Sequence, residues 1–178
     1  LDNQTGISIM KIVEKLDSGP VMHQDKIQIN EKINTFDLSK ILSKIAASSI
    51  INSLNKIERG DAKFKEQDHR QATYAKKISK SEGKINWNQS ARTVLAKING
   101  LNPNPGAWFE YKKDRFKVWK AEIVNKNSEA GEIIDDKILI ACKEKAIKIL
   151  EIQKEGKSRQ SIDKFLLGNK IKKGEIIN

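Results

Sequence analysis

Apolar residues recur along this chain at two different spacings, and the change of spacing divides it. GISIMKIV at 6–13 is an apolar run of strand length, and KIQI at 26–29 alternates. Two strands are therefore expected, joined by a loop that holds EKLDSGPV at 14–21. Further on, Leu38, Ile41, Leu42, Ile45, Leu54 and Ile57 follow three-and-four spacing. That spacing predicts a helix capped by Thr35 or Asp37 and stopped at Gly60. Its apolar face is wider than one helix and two strands can cover. Residues 1–60 thus read as the tail of an α/β domain whose other strands are missing.

Residues 61–84 are polar, without a sustained period, and read as a linker. A second domain is expected over 85–178. It opens with a short helix carrying Ala91, Val94, Leu95 and Ile98, capped by Asn88 or Ser90 and ended by Gly100. NPNPG at 102–106 is a turn, because proline presets φ and Gly106 accepts positive φ. Short strands follow at 107–111, 116–124, 131–134, 137–142 and 146–152, with KKD at 112–114 as a hairpin tip. A helix from about Ser158 to Leu167 closes the series. Short alternating strands this close together favour a small antiparallel barrel, so the fold class is α/β plus β.

Charge changes this picture more than composition does. The chain has 178 residues, 38% of them apolar, with a formal charge of +11. Residues 1–60 carry eight Lys plus Arg against seven Asp plus Glu, whereas residues 61–178 carry 26 against 16. A basic excess confined to one part suits a polyanion, since Lys and Arg release counterions when they neutralise phosphates. The bland alternative is a solvated lysine surface in a chain rich in Lys, Ile and Asn. No stretch approaches the roughly 18 to 20 uninterrupted apolar residues of a membrane span, and no basic-then-apolar signal segment opens the chain. Cys142 is the single cysteine and His23 and His69 the only histidines, so a Cys/His zinc cluster is not expected. A reducing cytoplasm fits this usage. The chain opens at Leu1 and enters a strand almost at once, which reads as a fragment.

Few residues are candidates for chemistry. Asp17, beside Gly19 and Pro20 directly after a strand, sits where open α/β sheets place ligand-contacting residues. The commoner role of such an Asp is to accept turn hydrogen bonds. His23 lies close enough to enter the same cleft, while His69 is expected in solvent. Further on, Trp87, Trp108, Phe109, Tyr111, Phe116 and Trp119 are interleaved with Lys112, Lys113, Arg115, Lys117 and Lys120. Aromatics and cations on one barrel face can hold single-stranded nucleic acid. Strand alternation is expected to turn Trp108 and Trp119 into the core and leave binding to the lysines.

Taken in order, these motifs resemble the C-terminal half to two-thirds of methionyl-tRNA formyltransferases. TGISIMKI at 5–12 with LDSG at 16–19 is similar to the family's strand and Leu-Asp-x-Gly loop. QDHRQATYAKKISKSEGKINW at 67–87 is similar to its linker, LNPNPGAWF at 101–109 to its proline turn, and KVWKA at 117–121 to a barrel strand. GNKIKKGE at 168–175 completes the resemblance. It implies the end of a Rossmann-like formyltransferase domain over 1–60, a linker over 61–84, and an OB-like tRNA-binding domain over 85–178. The implied reaction transfers a formyl group from 10-formyltetrahydrofolate to the amino group of methionyl-initiator tRNA, without a metal. Of the family's catalytic Asn, His and Asp, only the Asp falls in this chain, at Asp17. It would orient and charge-stabilise the His, while most of the folate site would precede Leu1. Lys76, Lys77, Lys80, Arg92 and Arg115 are the candidate phosphate contacts. The family suggests a monomer. An RNA-binding module without catalysis and a nucleotide-sugar formyltransferase are the alternatives.

Overall fold

The first alternation becomes a hairpin. In the computed structural model, which describes residues 1–177, β1 (Gln4–Met10) pairs antiparallel with β2 (Val21–Gln28), Ile7 opposite Asp25 and Ile9 opposite His23. β1 stops three residues before the apolar run does, and Ile12 is left 91% exposed. β2 begins five residues before KIQI. Its alternation was hidden because His23 and Asp25 occupy half-buried positions that apolar residues usually fill. α1 (Thr35–Glu58) ends as expected at Gly60, with φ +77°. The Gly60 N–H donates to the Ile57 carbonyl and the Asp61 N–H to that of Lys56, the pairing that closes a helix through a left-handed residue.

Two compact units make up the chain: residues 2–30 with 37–77, and residue 1 with 31–36 and 78–178. In the first unit the helix buries two serines, Ser49 and Ser53, whereas Ile41, Ile50, Ile51, Leu54 and Ile57 are each at least 42% exposed. Of the apolar face expected from the spacing, Leu38, Leu42 and Ile45 are half-buried, whereas Ile41, Leu54 and Ile57 are exposed.

The second unit holds the main core. α2 (Ala91–Gly100) turns Ala91, Val94, Leu95 and Ile98 inward, and Ser90 caps it by accepting from the Thr93 N–H at 3.2 Å. Five antiparallel strands follow: β3 (Ala107–Tyr111), β4 (Asp114–Val124), β5 (Leu139–Ala141), β6 (Ala146–Lys154) and β7 (Gln160–Ser161). They curl in the order β3–β4–β6–β5, with β7 added to β6. A short helix, α3 (Ile162–Leu166), comes last. Trp87, Phe109, Phe116 and Phe165 form a chain of rings through the interior, with centroids 5.9, 5.5 and 5.8 Å apart.

Three expectations for this unit need correction. Residues 131–134 make only isolated bridges, Glu132 to Ile176 and Ile133 to Ile140. The Asp135 carboxylate accepts the Lys137 and Leu139 N–H groups and turns the chain before a ladder can grow. The expected last helix starts four residues late, because Gln160 and Ser161 pair with β6 and Ser161 then serves as the cap. Third, Trp108 and Trp119 do not point inward. Phe109, Phe116 and Val118 take the buried positions, and the two tryptophans lie half-buried on the opposite face. Both faces of β3 and β4 carry large side chains, so alternation by itself does not say which face is core.

Candidate functional site

In the first unit, Asp17 lies in the β1–β2 loop at φ +52°, a left-handed conformation that Asp tolerates better than most side chains. Gln67 fixes this loop, its amide donating to the Asp17 carbonyl at 3.0 Å and the Gly19 carbonyl at 2.7 Å. Val21 and Lys65 exchange both backbone hydrogen bonds, at 2.8 and 2.9 Å. These contacts build one wall of an open groove of about 1070 Å³, lined in part by Asp17, His23, Gln67, His69 and Tyr74. His23 therefore enters the cleft of Asp17 as the sequence suggests. His69 is exposed, on the same groove.

His23 is itself engaged. Its Nε2 lies 3.0 Å from the Asp25 carboxylate, which also accepts from the Ser49 hydroxyl on α1. The Ser49 hydrogen bond, followed by His23, holds the Asp25 carboxyl below its ordinary value. No local signal announces this cluster, because Ser49 reaches Asp25 only when the helix folds onto the hairpin.

In the second unit, the outer face of β3, β4 and β6 gathers aromatic rings and cations. Trp108 and Lys117 are cross-strand partners, and Lys117 in turn lies opposite Gln153. The Arg115 guanidinium sits 4.1 Å from the Trp108 ring centre. Lys117 Nζ and the Arg159 guanidinium lie 4.4 and 4.8 Å from that of Trp119. Both indole N–H groups are occupied, Trp108 donating to the Lys80 carbonyl at 3.1 Å and Trp119 to Gln153 Oε1 at 2.9 Å. Lys117 donates to the Pro103 carbonyl at 2.7 Å, and burial lowers its pKa. Gly106 makes room for that side chain: at its φ of +85°, an added Cβ would fall on the aliphatic end of Lys117.

The five cations picked out from sequence are placed differently. Arg115 joins the aromatic face, and Lys80 borders it through its carbonyl. Arg92 projects from α2 and pairs with Glu31 at 3.4 Å. Lys76 and Lys77 are exposed in the other unit, along a segment without regular secondary structure. Sequence reasoning passed over Arg159 altogether, because only the return of the chain onto β6 through β7, with β6 paired to β4, brings it to Trp119. Cys142 is buried, which pushes its thiol up to about 12 and leaves it protonated and unreactive. Among the described residues no group of three or more His, Cys, Asp or Glu is placed to hold a metal ion, and no helix is long and apolar enough to cross a membrane.

Comparison with known proteins adds kinship to this geometry. The sequence pattern of the family described as "Formyl transferase, C-terminal domain" matches residues 77–170. Over 178 residues the chain is 48% identical to the methionyl-tRNA formyltransferase of Pelagibacter ubique, and over 177 residues 37% identical to that of Bradyrhizobium diazoefficiens. These alignments cover 99% and 97% of this chain, which spans 57% of the length of each relative. Among solved structures, HypX from Aquifex aeolicus in complex with tetrahydrofolic acid superposes with a TM-score of 0.72 at 16% identity, covering 99% of this chain and 34% of HypX. That likeness concerns the fold alone.

Proposed function

We infer, because this chain belongs to the formyl transferase family through its C-terminal domain, that it is the C-terminal part of an enzyme that formylates methionyl-initiator tRNA. The formyl donor in this reading is 10-formyltetrahydrofolate. The observation that carries it is the 48% identity, along nearly the whole chain, to a relative of that name. In this division residues 1–60 are the end of a Rossmann-like catalytic domain, 61–84 a linker, and 85–178 an OB-like domain that holds the tRNA. The enzyme acts as a cytoplasmic monomer.

The folate supplies an activated formyl group when bound. The open groove beside Asp17, about 1070 Å³ in volume, is where this chain would border the folate. Asp17 and Gln67 line it; the Gln67 N–H groups are taken by the Asp17 and Gly19 carbonyls, so the Asp17 carboxylate is the group this chain offers. Asp17 would charge-stabilise and orient the family's catalytic histidine, so that the attacking amine can lose its proton. Gln67 supports that role by holding the loop from behind. Lys76, Lys77, Lys80, Arg92 and Arg115 would contact phosphates.

The test is a formylation assay on the full-length protein that contains this chain. Asp17→Asn is expected to lower kcat by roughly 10²- to 10⁴-fold while leaving tRNA binding unchanged. Undiminished turnover would remove Asp17 from catalysis. Formylation of an amino sugar nucleotide in place of methionyl-tRNA would overturn the substrate.

A further inference from the structure

We propose that the pocket between β2 and the C-terminal turns of α1 is a carboxylate subsite that takes the γ-glutamyl tail of the folate. The proposal rests on the folate reading above and names the form of the donor that the site prefers. The pocket is open, about 630 Å³ in volume, and every residue that lines it belongs to the first unit. Met22 and His23 line both this pocket and the groove beside Asp17, so the two cavities adjoin.

The walls carry donors that the fold leaves unspent. Lys56, Arg59 and Lys63 share the pocket with one acid, Asp61, and no ion pair joins any of the four among the described residues. Lys56 and Arg59 have no acid three or four residues away, where a helical partner would ordinarily stand. Ser53 is only 3% exposed, yet its hydroxyl has no hydrogen-bond partner among the described residues. Ser49, one turn earlier, is the contrast, since its hydroxyl is committed to Asp25. A buried polar group left without a partner costs free energy that a bound ligand can restore. The end of a helix opposes anions through its carbonyls, but those of Lys56 and Ile57 already accept the Asp61 and Gly60 N–H groups. Three cations against one acid also exceed the charge of roughly −0.5 that a helix end presents.

These groups fit one chemistry. A folate ends in a glutamate, and further glutamates extend it through γ-amide links, so the tail repeats a carboxylate and an amide. The lysines and Arg59 suit the carboxylates, while Ser53 and the neighbouring Asn52 suit the amides. A lone phosphate would use the cations only.

The deciding experiment titrates the full-length protein that contains this chain, by calorimetry, with tetrahydropteroyl monoglutamate and with the corresponding tri-γ-glutamate. The triglutamate is expected to bind at least about fivefold more tightly at low salt, and the preference should shrink in about 0.5 M KCl. Lys56→Gln combined with Arg59→Gln should bring the two dissociation constants within about twofold of one another. Lys56→Arg combined with Arg59→Lys, which keeps both charges, should retain the preference. The ratio cancels any general loss of affinity, and melting curves verify that each variant is folded. KM values for the two formylated donors should show the same ratio. Equal affinity of the wild-type protein for both ligands overturns the subsite and leaves the folate reading standing, and so does a preference that survives the double glutamine variant. A wild-type protein that binds neither ligand overturns the folate reading and the subsite with it.

Discussion

At the scale of single residues, the core of the second unit depends on Phe109. It is fully buried, edge-on to Trp87 and stacked on Phe116. Phe109→Ala removes both ring contacts and leaves a cavity in a close-packed interior. The expected cost is about 3–5 kcal/mol, measured as a lower urea midpoint with an unchanged m-value. The neighbouring Trp108 would be mistaken for an equivalent residue from sequence, since it is as large and as apolar. It differs only in pointing the other way, where its indole N–H finds the Lys80 carbonyl and its face meets Arg115. Asp17 and Gly106 were legible because their demands are local: an Asp in a turn and a glycine at positive φ. His23, Asp25 and Ser49 were not, because a serine on a helix has no visible relation to an aspartate 24 residues earlier.

At the scale of elements, the C-terminal segment behaves as a strap across the curled sheet. Ile133 donates to the Glu175 carbonyl, Gly174 to that of Ile133, and Ile177 to that of Gly131. Glu175 secures the strap, accepting from the Tyr111 hydroxyl and pairing with Lys112 at 3.1 Å. These contacts, Tyr111 first, hold the Glu175 carboxyl below its ordinary value of 4.5. A carboxyl depressed in the folded state contributes stability that is complete above its unfolded value and is lost as pH falls through the folded one. Glu175→Gln is therefore expected to flatten the fall in stability below about pH 4.5 while lowering stability at neutral pH. Thermal melts of both proteins from pH 7 to 3 check this. The same segment explains why residues 131–134 do not form a ladder strand, as their backbone groups are taken by the strap and by β5.

At the scale of the whole molecule, the first unit exposes Ile50, Ile51, Leu54 and Ile57 within two turns of α1. Contiguous apolar surface of this kind drives association in water. The 178-residue chain is expected to self-associate at micromolar concentration, and Ile51→Lys with Leu54→Lys to restore the monomer, as read by sedimentation velocity. Unchanged sedimentation would show that this face is not the adhesive one. The sequence by itself determined whatever depends on near neighbours. The α2 stripe from Ala91 to Ile98, the stop at Gly60, the lysine hairpin tip and most strand positions follow from spacing, capping and turn chemistry. Kinship was legible too, because the order of the motifs is a property of the string. Only tertiary structure decided which face of β3 and β4 is core, since an alternating strand with large side chains on both faces is symmetric until α2 and α3 pack against one side. It also decided that Arg159 joins Trp119 and that Ser49 joins Asp25. Those partners are far apart in the chain, and strand pairing and helix docking alone bring them within contact.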